Sequence, residues 1–202
     1  MKIVQSDLFK VIYDLEHYLN TEIHQTIFGY IIGDRIAIWD PVWFIPGKEE
    51  LLDERYNMDF VEKNLILKRS IPVRGGTIVS ALGDIGILIV DNDQFNMWCK
   101  PAMEFLQHYL ADHFGIKSEI DGNDMLIGGK KFVGTASGFY RDKHVHAMFI
   151  SMYEYTDYLI RKICKKEPTH DGFVGLNKYK VCAKSLVTAM MNFTRAWEER
   201  KL

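Results

Sequence analysis

The stretch "DGNDMLIGGKKFVGTAS", residues 121–137, decides how this chain is read. "DMLI" and "KKFV" have strand character, and the Gly128-Gly129 pair between them is a two-residue turn of the kind that joins antiparallel strands. The segment is therefore a β-hairpin. Two lysines, Lys130 and Lys131, open the returning strand, and the small residues of "GTAS" follow. Successive strand residues face opposite sides, so one lysine can be solvated while the other turns inward. A lysine just past a turn ordinarily sits in water or blunts an edge. An inward lysine beside closely approachable backbone is instead a stabiliser for phosphate or a developing oxyanion.

Working outward, "RGGT" at 74–77 precedes "IVSALGDIGILIVD", which predicts a hairpin turning at Gly83-Asp84. The run "IGILIV" within it predicts a strand buried on both faces. "FNMWCKPAMEFLQHYLADHFG" is a helix from about Pro101 with Gly115 as its stop. After the opening hairpin come a strand at "HVHAMFIS", a helix over 153–166, a loop, and a closing helix over about 181–198. Towards the N-terminus, residues 6–20 set Leu8, Ile12, Leu15 and Leu19 at helical spacing behind Ser6, which is a capping residue type. "TIFGYIIGDRIAIWD" predicts another hairpin around "GDR". Residues 41–61 are loop with a short helix near "KEELLDERY", and "NLILKRS" is a strand. Strands arrive in hairpins interrupted by helices rather than in β-α-β alternation. The predicted class is α+β, with a mixed, largely antiparallel sheet flanked by helices.

The chain has 202 residues, enough for one domain with a sizeable core. We expect a single domain over 1–202 with no C-terminal accessory domain. The formal charge of −2 carries no electrostatic footprint for nucleic acid or an anionic membrane. No apolar run approaches ~20 residues, and "MKIVQSDLFK" lacks the segments of a signal peptide. The three cysteines, Cys99, Cys164 and Cys182, are too scattered for a disulfide framework. A cytoplasmic protein is expected.

The adjacent glycines of "RGGT" suit a close approach to an anion, and the planar fork of Arg74 pairs with carboxylate or phosphate. The same Gly-Gly also reads as a bulge or turn at a strand entry. "HVH" puts His144 and His146 on one strand face, a spacing that can hold a metal, yet no third ligand is identifiable and no metal site is assigned. His170 and Asp171, in "EPTH" and the residue after it, read as loop. Cys164 and Cys182 read as small hydrophobes in helical patterns.

The order of these pieces resembles the catalytic domain of the lipoate–protein ligase, biotin ligase and octanoyltransferase superfamily, nearest its lipoate–protein ligase branch. That family has a segment G-G-G-A-V-(Y/F)-H-D-x-G-N, then a helix and an N-D-(L/I) strand, then G-x-K-(I/V)-(S/A)-G-(S/T)-A and H-H-G-T-L. Matching positions here are Gly75, Gly76, Leu82, Gly83, Asn123, Asp124, Gly129, Lys131, Gly134, Thr135 and Ala136. The similarity runs over roughly residues 60–152. The resemblance implies a fold like that of class II aminoacyl-tRNA synthetases and biotin synthetases. It further implies activation of lipoate, octanoate or a related acid as an acyl-adenylate, using ATP and Mg²⁺, and transfer to a lysine on a lipoyl-type carrier domain. Lys131 would be the active-site lysine. Arg74, Gly75, Gly76 and Thr77 would line the carboxyl or phosphate end. Asn123 and Asp124 would meet the nucleotide or acyl head, Gly134, Thr135 and Ala136 would pack against the ligand, and His146 would stand for the family's His-His run.

Ser80-Ala81 stand where the family has His-Asp, and Arg74 where it has the first glycine of the triplet, as in the R-G-G of the octanoyltransferases. Two further readings therefore stay open. One is ATP-independent octanoyl or lipoyl transfer, a branch that uses a cysteine nucleophile, for which Cys164 lies in roughly the right part of the chain. The other is a non-catalytic member that binds an acyl ligand or a protein.

Overall fold

The computed structural model describes residues 1–5, 26–40, 52–70, 73, 78–91, 97–166 and 170–199. The helix expected over 6–20, the loop over 41–51 and the segment Arg74–Thr77 lie outside the described residues. In chain order the elements are β1 (Lys2–Gln5), β2 (Ile27–Ile32), β3 (Ala37–Asp40), α1 (Leu52–Arg55), α2 (Met58–Lys63), β4 (Leu67–Ser70), β5 (Ile78–Ser80) and β6 (Ile85–Asp91). There follow α3 (Cys99–Phe114), β7 (Glu119–Asp121), β8 (Asp124–Ile127), β9 (Lys130–Tyr140), β10 (Lys143–Ile150), α4 (Tyr155–Ile163) and, after a 3-10 turn, α5 (Ala183–Glu199).

Seven strands form one sheet in the order β1-β2-β6-β10-β9-β8-β7, and three form a second in the order β4-β3-β5. In the large sheet only β1 and β2 are parallel, and every other neighbouring pair is antiparallel. The class is the α+β arrangement that the sequence predicts. Both β6 and β10 are buried along their whole lengths because a layer covers each face. On one face, Ile85, Ile87, Ile89, Met148 and Ile150 pack against α3 and α5 through residues such as Met103, Leu106, Leu186 and Met190. On the other, Leu88, Val90, Ala147 and Phe149 meet Ala37 and Trp39 of the small sheet. The small sheet's outer side carries Ile38 and Val79 against Val61 of α2 and Leu159 and Ile163 of α4. In α3 the buried residues Ala102, Met103, Leu106 and Leu110 follow helical spacing, and Gly115 ends the helix at φ 66°, its N–H donating to the Ala111 carbonyl and the Ile116 N–H to that of Leu110. Among the described residues no helix is long and apolar enough to cross a membrane.

Two expected hairpins are corrected. Strands do form at both places, but β2 does not pair with β3, nor β5 with β6. Instead β2 pairs with β6 in the large sheet, and β3 with β5 in the small one. Each connection carries the chain from one sheet to the other, and the two corners lie against each other. Gly33 N–H donates to the Asp84 carbonyl at 2.7 Å, and Gly83 N–H to the Gly33 carbonyl at 2.6 Å. Gly83 has φ 84°, and a Cβ there would lie 2.3 Å from the Tyr153 ring, so only glycine fits the corner. The Asp84 carboxylate is buried beneath it. It accepts from Ala81 N–H, Met152 N–H and the Thr156 hydroxyl at 2.7–2.9 Å, tying the corner to the start of α4. Burial pushes its pKa up to about 6 against the pull of these donors. A Gly-Asp pair between two β-branched runs signals a change of direction, and here the change is between layers. Apolar faces that need covering on both sides outweigh the local pairing that a hairpin offers.

Candidate functional site

The opening hairpin forms as its turn chemistry requires. Gly128 and Gly129 both take positive φ, 56° and 77°, the combination that a two-residue turn needs to match strand twist. Register in the returning strand is not regular. Met125 pairs with Val133 but Leu126 pairs with Lys131, so Phe132 is an extra residue, a β-bulge in β9. Strict alternation would put Lys131 on the face of Val133. The bulge lets Phe132 and Val133 both enter the core beside α3 and α5, and turns Lys131 to the opposite face with Gly134.

Lys131 is there half-buried, while Lys130 is exposed. The Lys131 ammonium lies 2.7 Å from Oδ1 of Asp124, with side-chain exposures of 24% and 21%. Asp124 is the register partner of Gly134. A Cβ on Gly134 would stand 3.1 Å from both Cε and Nζ of Lys131, so the missing side chain is the floor on which the lysine lies. The other carboxylate oxygen of Asp124, Oδ2, is 2.8 Å from Nε2 of His170. His170 heads a strap, residues 170–174, that runs beside Lys131. Lys131 N–H donates to the Gly172 carbonyl and Val174 N–H to the Lys131 carbonyl, each at 2.9 Å. Asp157 of α4 anchors the strap by accepting from Phe173 N–H at 3.2 Å.

A cavity of about 40 Å³ opens between the two sheets beside this lysine. Lys131, Gly134 and Ser151 line it together with apolar side chains that include Ile78, Phe149, Ile160 and Phe173. Ile78, which opens β5, forms part of the wall of the cavity that Lys131 lines. A fixed cation beside a largely apolar cavity can bind an anionic head group and hold charge that develops on oxygen.

The remaining candidates divide between the two faces of the sheet. Ala136 faces the small sheet, in the same core cluster as Ala147. Thr135 faces the helices: its hydroxyl donates to the Asn123 carbonyl at 2.9 Å, and its N–H donates to the same oxygen at 2.7 Å. Asn123 is exposed and its backbone is thereby held to β9. His146 is buried on the helix face, with Nδ1 3.6 Å from Sγ of Cys99 and its ring beside His144. Burial pushes the Cys99 thiol up to about 12, away from the thiolate form that a nucleophile needs. Cys164 ends α4 against Tyr56, in the cluster beyond the small sheet. Ser80 and Ala81 are buried, and the Ser80 hydroxyl accepts from the Trp39 indole at 2.9 Å. Among the described residues no cluster of three or more His, Cys, Asp or Glu side chains offers a metal site. In the sequence His170 reads as loop. Its only signal there is its chemistry, because the contact with Asp124 spans 46 residues.

No protein-family model and no curated protein matches the sequence. Solved structures do match its shape. P. falciparum LipL1 in complex with lipoate superposes with a TM-score of 0.70 at 17% identity, over 98% of this chain and 62% of that one. The fold is that of the lipoate–protein ligases. A structure of an archaeal lipoylation system, a bipartite lipoate–protein ligase and its E2 lipoyl domain from Thermoplasma acidophilum, also reaches 0.70, at 14% identity over 95% of this chain and 80% of that one. A lipoate–protein ligase A bound with ATP gives 0.70 at 16% identity, over 95% and 82%. The likeness to these lipoate–protein ligases is one of fold, and it spans less than two thirds of LipL1's length.

Proposed function

We propose that the protein activates lipoate, octanoate or a related acid as an acyl-adenylate and passes the acyl group to a lysine of a lipoyl-type carrier domain. The observation that carries this reading is the Lys131 ammonium, lying over Gly134 beside a largely apolar cavity between the sheets. The fold supports it, since proteins of this shape have been solved with lipoate, with ATP and described together with a lipoyl domain. Lys131 stabilises negative charge on the acyl and phosphate oxygens, a preorganised donor that needs no reorganisation as charge develops. Asp124 keeps the ammonium in place, and Gly134 lets the ligand head come close. Arg74, Gly75, Gly76 and Thr77 line the carboxyl or phosphate end, and Asn123 borders it. ATP supplies the adenylate. Lys131 over its glycine floor suits a phosphate, whereas no described carboxylate cluster suits Mg²⁺, so no residue is assigned to that ion. The site of action is cytoplasmic.

A second reading, a binding protein without turnover, is favoured by Ser80 and Ala81. Both are buried where the family pattern has His-Asp, and neither presents an acid or base to the cavity.

ATP–pyrophosphate exchange in the presence of lipoate or octanoate tests the proposal. Exchange is expected in the wild type and falls by about 10²–10³ in Lys131→Ala, the usual cost of a lost charge stabiliser. Absence of exchange with every acid, together with a thermal shift by lipoyl-AMP that Lys131→Ala loses, would establish the binding reading instead. Acyl transfer from a carrier thioester without ATP would point to the transferase chemistry.

A further inference from the structure

We infer that His170 is a positioning residue for Lys131, acting through Asp124. The inference rests on Lys131 being the working cation of the proposed function, but its geometry stands apart from any particular substrate. Asp124 has two oxygens and both are taken: Oδ1 by the Lys131 ammonium at 2.7 Å, Oδ2 by His170 Nε2 at 2.8 Å. A carboxylate gripped at one oxygen swings about its side-chain torsions. Gripped at both, it is held in one orientation. His170 is only 15% exposed, less than either of its two partners in the chain of contacts. It also sits on the strap whose backbone bonds to both the N–H and the carbonyl of Lys131. The strap thus grips Lys131 twice, at its backbone directly and at its ammonium through His170 and Asp124. An Asp171 carboxylate against Gly129, where a Cβ would stand 2.8 Å from Oδ2, seats the strap's other edge on the hairpin turn. Nothing in this arrangement brings His170 itself to the cavity, whose lining includes Lys131 and Phe173 but not the imidazole.

Amine acylation of the native protein by acetic anhydride, read lysine by lysine by mass spectrometry, tests the inference, with exposed Lys130 as the internal reference. In His170→Ala the ratio of Lys131 to Lys130 labelling rises about two- to fivefold, the factor that a loosened, partly exposed ion pair supplies. Asp124→Asn raises it at least as far. His170→Gln, which keeps an N–H for Oδ2, stays near the wild type. If His170→Ala is unstable, His170→Phe keeps the ring's bulk without the donor and takes its place. A ratio unchanged in the donor-less variant while Asp124→Asn shifts it overturns the inference, as does a His170→Gln that behaves like the alanine variant. Where pyrophosphate exchange is present, loss of the donor lowers kcat about tenfold with KM for the acid within about twofold. Labelling does not depend on turnover, which separates the two claims. A shifted ratio with no exchange for any acid leaves the positioning standing and removes the ligase reading. Normal exchange with an unshifted ratio does the reverse.

Discussion

The two faces of the β9–β10 pair carry similar-looking chemistry and use it in opposite ways. On the helix face lie Thr135, His144, His146 and, from α3, Cys99, a set that reads as a catalytic or metal constellation. There Thr135, His144 and His146 are buried and Cys99 is partly so. The thiol is pushed far above the pH range in which it ionises, and the Thr135 hydroxyl is spent on a backbone carbonyl. On the other face the Lys131–Asp124 pair lies beside a glycine, half-buried, charged and next to a cavity. Reactivity follows access and field, not the list of side-chain types.

Gly134→Val should break this comparison most forcefully. The added Cβ alone would stand 3.1 Å from the Lys131 ammonium, and the methyls it carries displace it. We expect a loss of about 10² in exchange activity, the scale of an ångström-size misplacement. Stability should hold or rise, because a β-branched residue suits a strand. A variant that keeps full activity would mean that Lys131 works from some other position. Thr135→Val probes the buried face, with a smaller effect of the opposite kind. Losing the hydroxyl donor to Asn123 costs about 1 kcal/mol in urea unfolding, while activity per folded molecule stays within about threefold. A fall of two orders of magnitude in that activity would put Thr135 in the chemistry and erase the distinction between faces. Lys130→Ala should change neither stability nor exchange beyond about 0.5 kcal/mol, since this lysine is exposed beside the half-buried Lys131. An effect as large as that of Lys131→Ala would show that the bulge had been assigned to the wrong lysine.

How far the site was legible depends on range. The Gly128-Gly129 turn, the α3 stop at Gly115 and the doubly buried strand β6 are written in local chemistry and periodicity, and all appear as read. The choice of Lys131 over Lys130 came from resemblance and not from alternation. Alternation alone would have put Lys131 on the face of Val133, because nothing in "KKFVG" announces that Phe132 is an extra residue. The two corners at Gly33 and Gly83 were misread as hairpins for the same reason. The turn signal is local, whereas the partner of each strand is chosen by which apolar faces must be covered. His170 was invisible because its partner lies on a strand 46 residues away.

By itself, then, the sequence determined what neighbours along the chain can settle: turns with positive φ, helix stops, the strand run "IGILIV" and a lysine beside small residues. Backbone sterics and short-range periodicity decide these within a few residues, so they survive without a fold. Only the tertiary structure decided the pairing of β2 with β6, the bulge that aims Lys131 at the cavity, and the joining of Asp124 to both Lys131 and His170. Those depend on competition between layers for apolar cover and on polar groups meeting across long stretches of chain, a cooperative balance that no local window contains.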